Sequence, residues 1–360
     1  MYTTEQLFFL LSGLFFLALF FTLLVNSLFM RFFHTFGIRE NAPGLMRWNA
    51  CSKPAFGGIG FFIVFLFGFA AFNVLFPRTT DPFRPELLGL LAATGLGFLM
   101  GLADDAYDTR PLLKFVTQIC CGLLLLATGT RIDLSGIAWL DQSLTLLWVV
   151  GLMNAINLLD NMDAITSVVA LAILVAALLA QLFTRTAADI HTVVMIAVCG
   201  ALGGFLFFNW HPSRMYMGDT GSQFLGVFLA YVGIRFFWNT TALDGTVNGW
   251  RQVSVTVVVF ILPLADTATV SINRLLKGGS PFVGGKDHTT HYLSYAGLTD
   301  PQVAMVFGGL GLVSAFLSFI ALAFIPVWLP FHSLFYLGYA LIVAGVLYAM
   351  TKRPQIARPL

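Results

Sequence analysis

The sequence predicts an all-α polytopic membrane protein of about eleven transmembrane helices, and three observations carry that expectation. Of the 360 residues, 58% are hydrophobic and only 10% are charged. The mean hydropathy of +0.86 lies far outside the range of a soluble domain. Apolar runs of about 20 residues, long enough to cross a bilayer, recur along the whole chain. None shows the strict alternation of a membrane-barrel strand, so the runs read as helices, which satisfy their own backbone in lipid.

The first run, 7–30, follows Thr3, Thr4 and Glu5, with no basic lead and no small-residue cleavage site. It reads as an uncleaved first helix. Runs 57–76 and 87–103 come next, the second closing on the acidic stretch GLADDAYDTRP (101–111). After the short run 113–128, the stretch GTRIDLSGIAWLDQS (129–143) suggests a small hairpin from its Gly and alternating Ile and Leu. Runs 144–159, 165–183, 190–208, 222–238, 253–272, 302–325 and 331–350 complete the set.

Alternating these helices from an outside N-terminus puts the connections 31–56, 104–114, 160–164, 209–221 and 273–301, with the tail from 351, on one side. Of the 19 Lys and Arg, only Arg78, Arg84, Arg131, Arg185, Arg235 and Arg251 fall on the other. The positive-inside rule then sets the N-terminus outside and the C-terminus in the cytoplasm. No polar stretch is long enough to fold alone, so residues 1–360 read as one membrane domain. The net charge of +2 offers no argument for nucleic acid. Cys51, Cys120, Cys121 and Cys199 have neither disulfide nor zinc spacing and read as small apolar residues. The chain shows no internal repeat, which weakens a transporter reading.

The unusual polar residues cluster on the predicted cytoplasmic side, near 31–56, 104–114, 154–164, 209–221 and 273–301. Asp104, Asp105 and Asp108 stand i,i+3 and i,i+4, so a helix would bring them to one face. Like charges that close repel unless a cation lies between them or one keeps its proton. A hard-cation site explains three acids better than helix capping does. In NAINLLDNMDAI (154–165), Asn154, Asn157, Asp160 and Asp163 recur every three residues along a slowly turning face. Interhelical bonding accounts for the two Asn, which are costly in an apolar run, but not for the acids that follow.

Asp219 lies in MGDTGSQFLG just before a helix. A helix cap and a phosphate-binding helix N-terminus both fit it, and both roles can hold together. The glycine-rich basic loop RLLKGGSPFVGGKDHTTHYL (274–293) holds His288 and His291 beside Arg274, Lys277 and Lys286. Without a third N or S ligand, anion binding accounts for it better than a soft-metal site. Lys53, in RWNACSKPAFGGIG (47–60), precedes a Pro and a Gly pair and is a weak signal alone. Clustered carboxylates and cations beside lipid suit a metal-bound polyphosphate reacting with a lipid-anchored group.

KPAFGG, GLADDAYD, NAINLLDNMDA, MGDTGSQFLG and SPFVGGKDHTTHYL, in this order over nearly the whole chain, resemble the polyprenyl-phosphate N-acetylhexosamine-1-phosphate transferases. That family includes undecaprenyl-phosphate GlcNAc-1-phosphate transferases and the phospho-MurNAc-pentapeptide translocase. The resemblance implies attack of undecaprenyl phosphate on the β-phosphorus of a UDP-N-acetylhexosamine, with release of UMP, as the first membrane step of a cell-surface glycan such as an O-antigen. It implies Mg²⁺ or Mn²⁺ as cofactor and a bacterial inner membrane with the site on the cytoplasmic face; homodimerisation stays open. Asp104 and Asp105 match the adjacent catalytic acids, and Asp219 the magnesium-binding acid, with Asp104 and Asp105 beside it in the metal set. Asn157, Asp160 and Asp163 match the nucleotide-side motif and His288 and His291 the histidine motif. Lys53, Lys114 and Arg274 match phosphate-contacting cations.

Three departures stand out. Many members read Asp-Gly-x-Asp-Gly where this chain has Asp160–Asn161–Met162–Asp163–Ala164. Many have a His about where Ala50 or Cys51 stands. The region around His288 lacks consecutive histidines, which favours a UDP-GlcNAc-type donor over the pentapeptide substrate. The rival readings are a transporter or flippase for lipid-linked anions, which needs charge on both faces, and a phosphatidyl-type transferase, which gathers its acids in one tight run.

Overall fold

The computed structural model describes residues 2–32, 53–76, 84–184, 189–241, 245–280 and 285–353. Most of the first predicted cytoplasmic connection, including Cys51, lies outside these residues, as do residues 281–284 of the basic loop and the tail from 354. Among the described residues there is no strand. In chain order the helices are α1 (Thr4–Phe32), α2 (Gly57–Leu75), α3 (Pro85–Tyr107), α4 (Pro111–Ala127), α5 (Ala138–Leu159), α6 (Ile165–Thr184) and α7 (Ile190–Asn209). There follow α8 (Gly218–Gly233), which runs into a π-helical turn (Ile234–Trp238), α9 (Gly249–Val259), α10 (Ile261–Leu276) and the short α11 (Thr289–Tyr295). The last two are α12 (Asp300–Ala323) and α13 (Pro330–Met350).

Every apolar run of the sequence falls on helix. Among the described residues, seven helices are long and apolar enough to cross a bilayer, and α9 with α10 makes an eighth as a bent pair; α4 and part of α6 are shorter apolar helices. Helix starts follow local chemistry. Pro85, Pro111 and Pro330 open α3, α4 and α13, where a missing N–H costs nothing. Thr299 and Gln302 form a capping box on α12, with the Thr299 N–H donating to Gln302 Oε1 at 2.8 Å.

Two expectations are corrected. The run 253–272 is not one helix, because α9 and α10 meet at 77° around Phe260. Pro263, in the first turn of α10, has no N–H to carry the ladder of α9 forward. The stretch 129–143 is not a hairpin. Residues 134–137 wrap onto Asp141, whose Oδ1 accepts from Ser135 N (2.9 Å) and Ser135 Oγ (2.8 Å), and α5 already begins at Ala138.

α8 forms the centre, buried over almost its whole length and packed by α2, α3, α5 and α6. Phenylalanine fills its surroundings. Phe62 stacks on Phe98 with centroids 4.2 Å apart, and Phe65 meets Phe224 edge-on at 5.3 Å. The outer helices expose large apolar side chains, such as Phe16 and Phe20 of α1 and Leu341 and Ile342 of α13, as a lipid-facing surface does.

One end of this bundle holds the site. There Gly57 and Gly58 of α2 donate to Tyr216 O and Met217 O just before α8 (3.2 and 3.1 Å). Ala164 N, ahead of α6, donates to Asn209 Oδ1 at the end of α7 (2.9 Å). Lys352, after α13, donates to Asn273 Oδ1 of α10 (2.8 Å). At the opposite end Arg251 of α9 donates to Ala321 O, closing the last turn of α12 (2.8 Å).

Candidate active site

The site is made where α2, α3 and α8 come almost into backbone contact. A Cβ on Gly101 of α3 would lie 2.2 Å from the carbonyl oxygen of Asp219, and one on Gly58 of α2 would lie 2.1 Å from Gly221 N. Only glycine lets the helices approach this closely. Gly218 opens α8 with φ +73°, a left-handed conformation that glycine adopts without steric cost, and a Cβ there would also lie 2.6 Å from Asp105 Oδ2.

Adjacent positions on a helix are rotated by about 100°, and Asp104 and Asp105 accordingly meet different neighbours. Asp105 reaches the first turn of α8. Its Oδ1 accepts from Asp219 N (2.9 Å), and its Oδ2 accepts from Thr220 N (2.9 Å) and Thr220 Oγ1 (2.6 Å). A carboxylate from α3 thus satisfies the otherwise orphaned amides of α8 and complements the positive end of its dipole. Asp104 turns instead to α4, accepting from Thr109 N at 3.1 Å and from Thr109 Oγ1, and pairing with Lys114 Nζ at 3.2 Å. Asp108 does not join them. It ends α3 in the left-handed conformation (φ 52°) and is exposed, so the shared helical face expected of the three acids stops at Tyr107.

Lys114 bridges the two chain segments that matter most. Its ammonium contacts Asp104 Oδ2 and Asp219 Oδ2 together. Asn157 of α5 donates to the other oxygen of Asp219 (2.7 Å) and to Ser222 Oγ (2.8 Å). Four of the predicted residues, from four helices, therefore converge on one partly exposed spot, where the Lys114, Asp104 and Asp219 side chains are 18%, 15% and 26% exposed. Asp160, in the turn after α5, stands near enough for the charges of Asp219 and Asp105 to act on it. Burial first, and these carboxylates second, push its carboxyl up to about 7.

The remaining predicted residues form two flanking groups. Asp163 is buried and serves as a clasp between loops: it accepts from Ser213 Oγ (2.7 Å), Ser213 N (3.1 Å) and His211 Nδ1 (3.0 Å). Lys53 joins this clasp through Ser213 Oγ (3.0 Å) and lies over the Tyr216 ring at 5.2 Å. On the other flank Arg274 grips Asp287 with two bonds of 2.8 and 2.7 Å. Burial disfavours the charge on Asp287, but the Arg274 guanidinium outweighs it and holds the carboxyl below its ordinary range. His288 Nδ1 pairs with Asp266 Oδ2 at 2.9 Å, and the other Asp266 oxygen accepts from Thr289 N and Oγ1. His291 faces inward, where burial and the neighbouring His288 lower it to about 3, so it is neutral at physiological pH. Thr290 Oγ1 donates to Asn161 Oδ1 (2.6 Å), tying this flank to the turn that carries Asp160.

Asp266, His211, Ser213 and the Asn161–Thr290 tie were not picked out from sequence. Asp266 had a signal, a carboxylate inside the apolar run 253–272, which lipid tolerates only when it is paired. The other partners lie far apart in the chain and carry no local mark.

The donor set suits a hard cation. Among the described residues no three His, Cys, Asp or Glu stand close enough to cage a metal. What converges is two carboxylates, Asp104 and Asp219, joined by the Lys114 ammonium, and hard oxygen donors of this kind are those by which Mg²⁺ or Mn²⁺ is shared with phosphate oxygens.

Comparison with known proteins places this arrangement in a family. The profile of glycosyl transferase family 4 matches residues 87–237, which span α3 to the π-helical turn and so include Asp104, Lys114, Asn157 and Asp219. The phospho-N-acetylmuramoyl-pentapeptide-transferase of Heliobacterium modesticaldum is 32% identical over 305 residues, 78% of this chain and 86% of that protein. The chain belongs to glycosyl transferase family 4. Another family member, named as a probable undecaprenyl-phosphate N-acetylglucosaminyl 1-phosphate transferase of Bacillus subtilis, is 25% identical over 293 residues, covering 79% of this chain and 77% of its own length. The decaprenyl-phosphate N-acetylglucosaminephosphotransferase of Mycolicibacterium smegmatis is 29% identical over 278 residues, 68% and 66% of the two chains. The expectation drawn from the motifs is met at the level of the family.

Proposed function

We propose that this membrane protein transfers N-acetylhexosamine 1-phosphate from a UDP-sugar to a polyprenyl phosphate, with undecaprenyl phosphate as acceptor and UDP-GlcNAc as the favoured donor. The observation that carries the reading is the convergence of Asp104, Lys114, Asn157 and Asp219 at one end of an apolar helix bundle. The names of the family relatives above support it. An oxygen of the lipid phosphate attacks the β-phosphorus of the donor. The bond from that phosphorus to the bridging oxygen breaks, and UMP leaves with the electron pair. A phosphate monoester has a second pKa of about 6, so the acceptor is already ionised at neutral pH and needs little help from a general base.

The protein's work is therefore positioning and charge balance. Lys114 offsets the phosphate charge next to the carboxylates, and Arg274, held by Asp287, adds positive charge on the histidine flank. Asp219 and Asp104 are the residues that would hold Mg²⁺, whose chemistry is to neutralise charge on the diphosphate. Asp105 acts by fixing the first turn of α8. His288, oriented by Asp266, would donate toward the leaving diphosphate. In a cell the site would face the cytoplasm of a bacterial inner membrane, with about eleven crossings and the N-terminus outside, at the start of a cell-surface polysaccharide.

The test is to incubate purified protein with undecaprenyl phosphate and UDP-GlcNAc labelled in the sugar, with Mg²⁺, with EDTA, and with EDTA followed by excess Mg²⁺. Label should enter the lipid phase, stop with EDTA and return with the metal. Label in lipid that is indifferent to EDTA would remove the metal from the account. No lipid label with any UDP-HexNAc, from folded protein, would remove the reaction.

A further inference from the structure

We propose that Gln118 and Gln223, with Asn154, are positioning residues: they form a carboxamide layer one helical turn below the reacting groups and hold α4, α5 and α8 in register. The inference rests on the transferase reading above. Side chains three or four apart on a helix stand one above the other. Each of these three helices repeats that step: Lys114 lies above Gln118 on α4, Asn157 above Asn154 on α5, and Asp219 above Gln223 on α8. The three amides bond to each other. Asn154 Nδ2 donates to Gln118 Oε1 at 2.7 Å, and Gln118 Nε2 donates to Asn154 Oδ1 (3.3 Å) and to Gln223 Oε1 (3.2 Å). Gln118 is 1% exposed and Gln223 is wholly buried.

Two features mark the layer as more than packing. The Lys114 ammonium is a point charge with rotatable donors and sets no angle between its two carboxylates, whereas a planar carboxamide pair does fix direction. The layer is also not the most stable filling for its place. Gln223 Nε2 is buried with no hydrogen-bond partner, and an unmatched buried donor is destabilising. A polar layer kept despite that cost, directly beneath Lys114, Asn157 and Asp219 on the helices that carry them, is what a positioning role requires.

At Gln223 the consequence is that activity falls without a matching loss of stability. Gln223→Met, close in volume, removes the bond from Gln118 but also the unmatched donor. We expect kcat to fall about tenfold, since small misplacements of a reacting group carry such losses, with KM for the UDP-sugar within about twofold and Tm unchanged or raised. Gln118→Met removes the hub and should lower both kcat and Tm. The paired exchange Gln118→Asn with Asn154→Gln, which keeps an amide pair, should recover part of kcat relative to either single change. Hydrogen exchange at the first turn of α8, residues 218–222, should quicken in Gln223→Met whether or not substrate turns over. In Gln223→Met, wild-type kcat, unchanged exchange at 218–222, or a kcat that drops only in step with Tm would each overturn the layer. A wild-type chain that fails to transfer would overturn the transferase reading instead, while the exchange data still judge the layer.

Discussion

Asp104 and Asp105 are neighbours of the same chemistry, yet their bonds differ, and so do the consequences of losing each. Asp104 faces Lys114 and, through it, Asp219. Asp104→Asn keeps an acceptor for Thr109 and should leave thermal stability close to wild type while lowering turnover about 10³-fold, as removing a preorganised charge does. Asp219→Asn should do the same. Asp105→Asn places an NH₂ group against amides that already donate to that carboxylate. It should cost about 1 kcal/mol of stability, the worth of a lost helix cap, along with a smaller loss of activity. Asp133→Asn, on an exposed side chain at the opposite end, serves as the control and should change neither. Turnover and a thermal melt on each variant check these expectations, and equal losses for all three acids would mean that Asp105 reacts too.

Asp160 yields a prediction in pH. Its folded carboxyl is raised to about 7, above the ordinary value of about 3.9, so between these values the folded protein holds a proton that the unfolded chain has lost. The stabilising contribution is present below the lower value and disappears as pH rises through 7. Asp160→Asn, neutral at every pH, should therefore gain in Tm over wild type as pH goes from 5.5 to 8. A difference that stays flat across that range would contradict the environment described for Asp160.

At the level of elements, the helices were largely legible, because lipid leaves the backbone no other partner than itself and an apolar run of sufficient length must be helical. What could not be read was where a run bends or what closes its ends. The break at Phe260 depends on Pro263 inside a run of uniform hydropathy. The loop 129–137 looked like paired strands from its alternation, but Asp141 captures it through hydrogen bonds that hydropathy does not show. The turn 160–164 offers a test at this scale. Ala164 sits at φ 67°, in the left-handed region where a side chain costs about 1–2 kcal/mol. Ala164→Gly should stabilise the fold by about 1 kcal/mol, measured by thermal melt. No gain, or a loss, would indicate that the turn relaxes away from this conformation.

For the whole molecule, the positions of the site residues in sequence located one end of the bundle but not the wiring within it. Asn157 and Asp219 stand out as polar residues in an apolar chain and Lys114 through the family resemblance, and the three do meet. The family resemblance grouped Asp163 with the nucleotide motif, and its partners are Ser213 and His211, some fifty positions away. Such pairings belong to tertiary structure alone. The arrangement that results explains why the chain is mostly lipid-soluble. In the proposed reaction the apolar helices would bring the lipid acceptor to the bilayer surface, and the polar ends would supply the charge that a diphosphate needs.

That claim is tested most directly by following the phosphorus. UDP-GlcNAc carrying ³²P at the β-position, given to purified protein with undecaprenyl phosphate and Mg²⁺, should deliver its label to the lipid phase with one UMP released per labelled lipid. Asp219→Asn should leave the label in water. Label retained on released UDP would mean that the sugar moves without its phosphate, and would contradict the account.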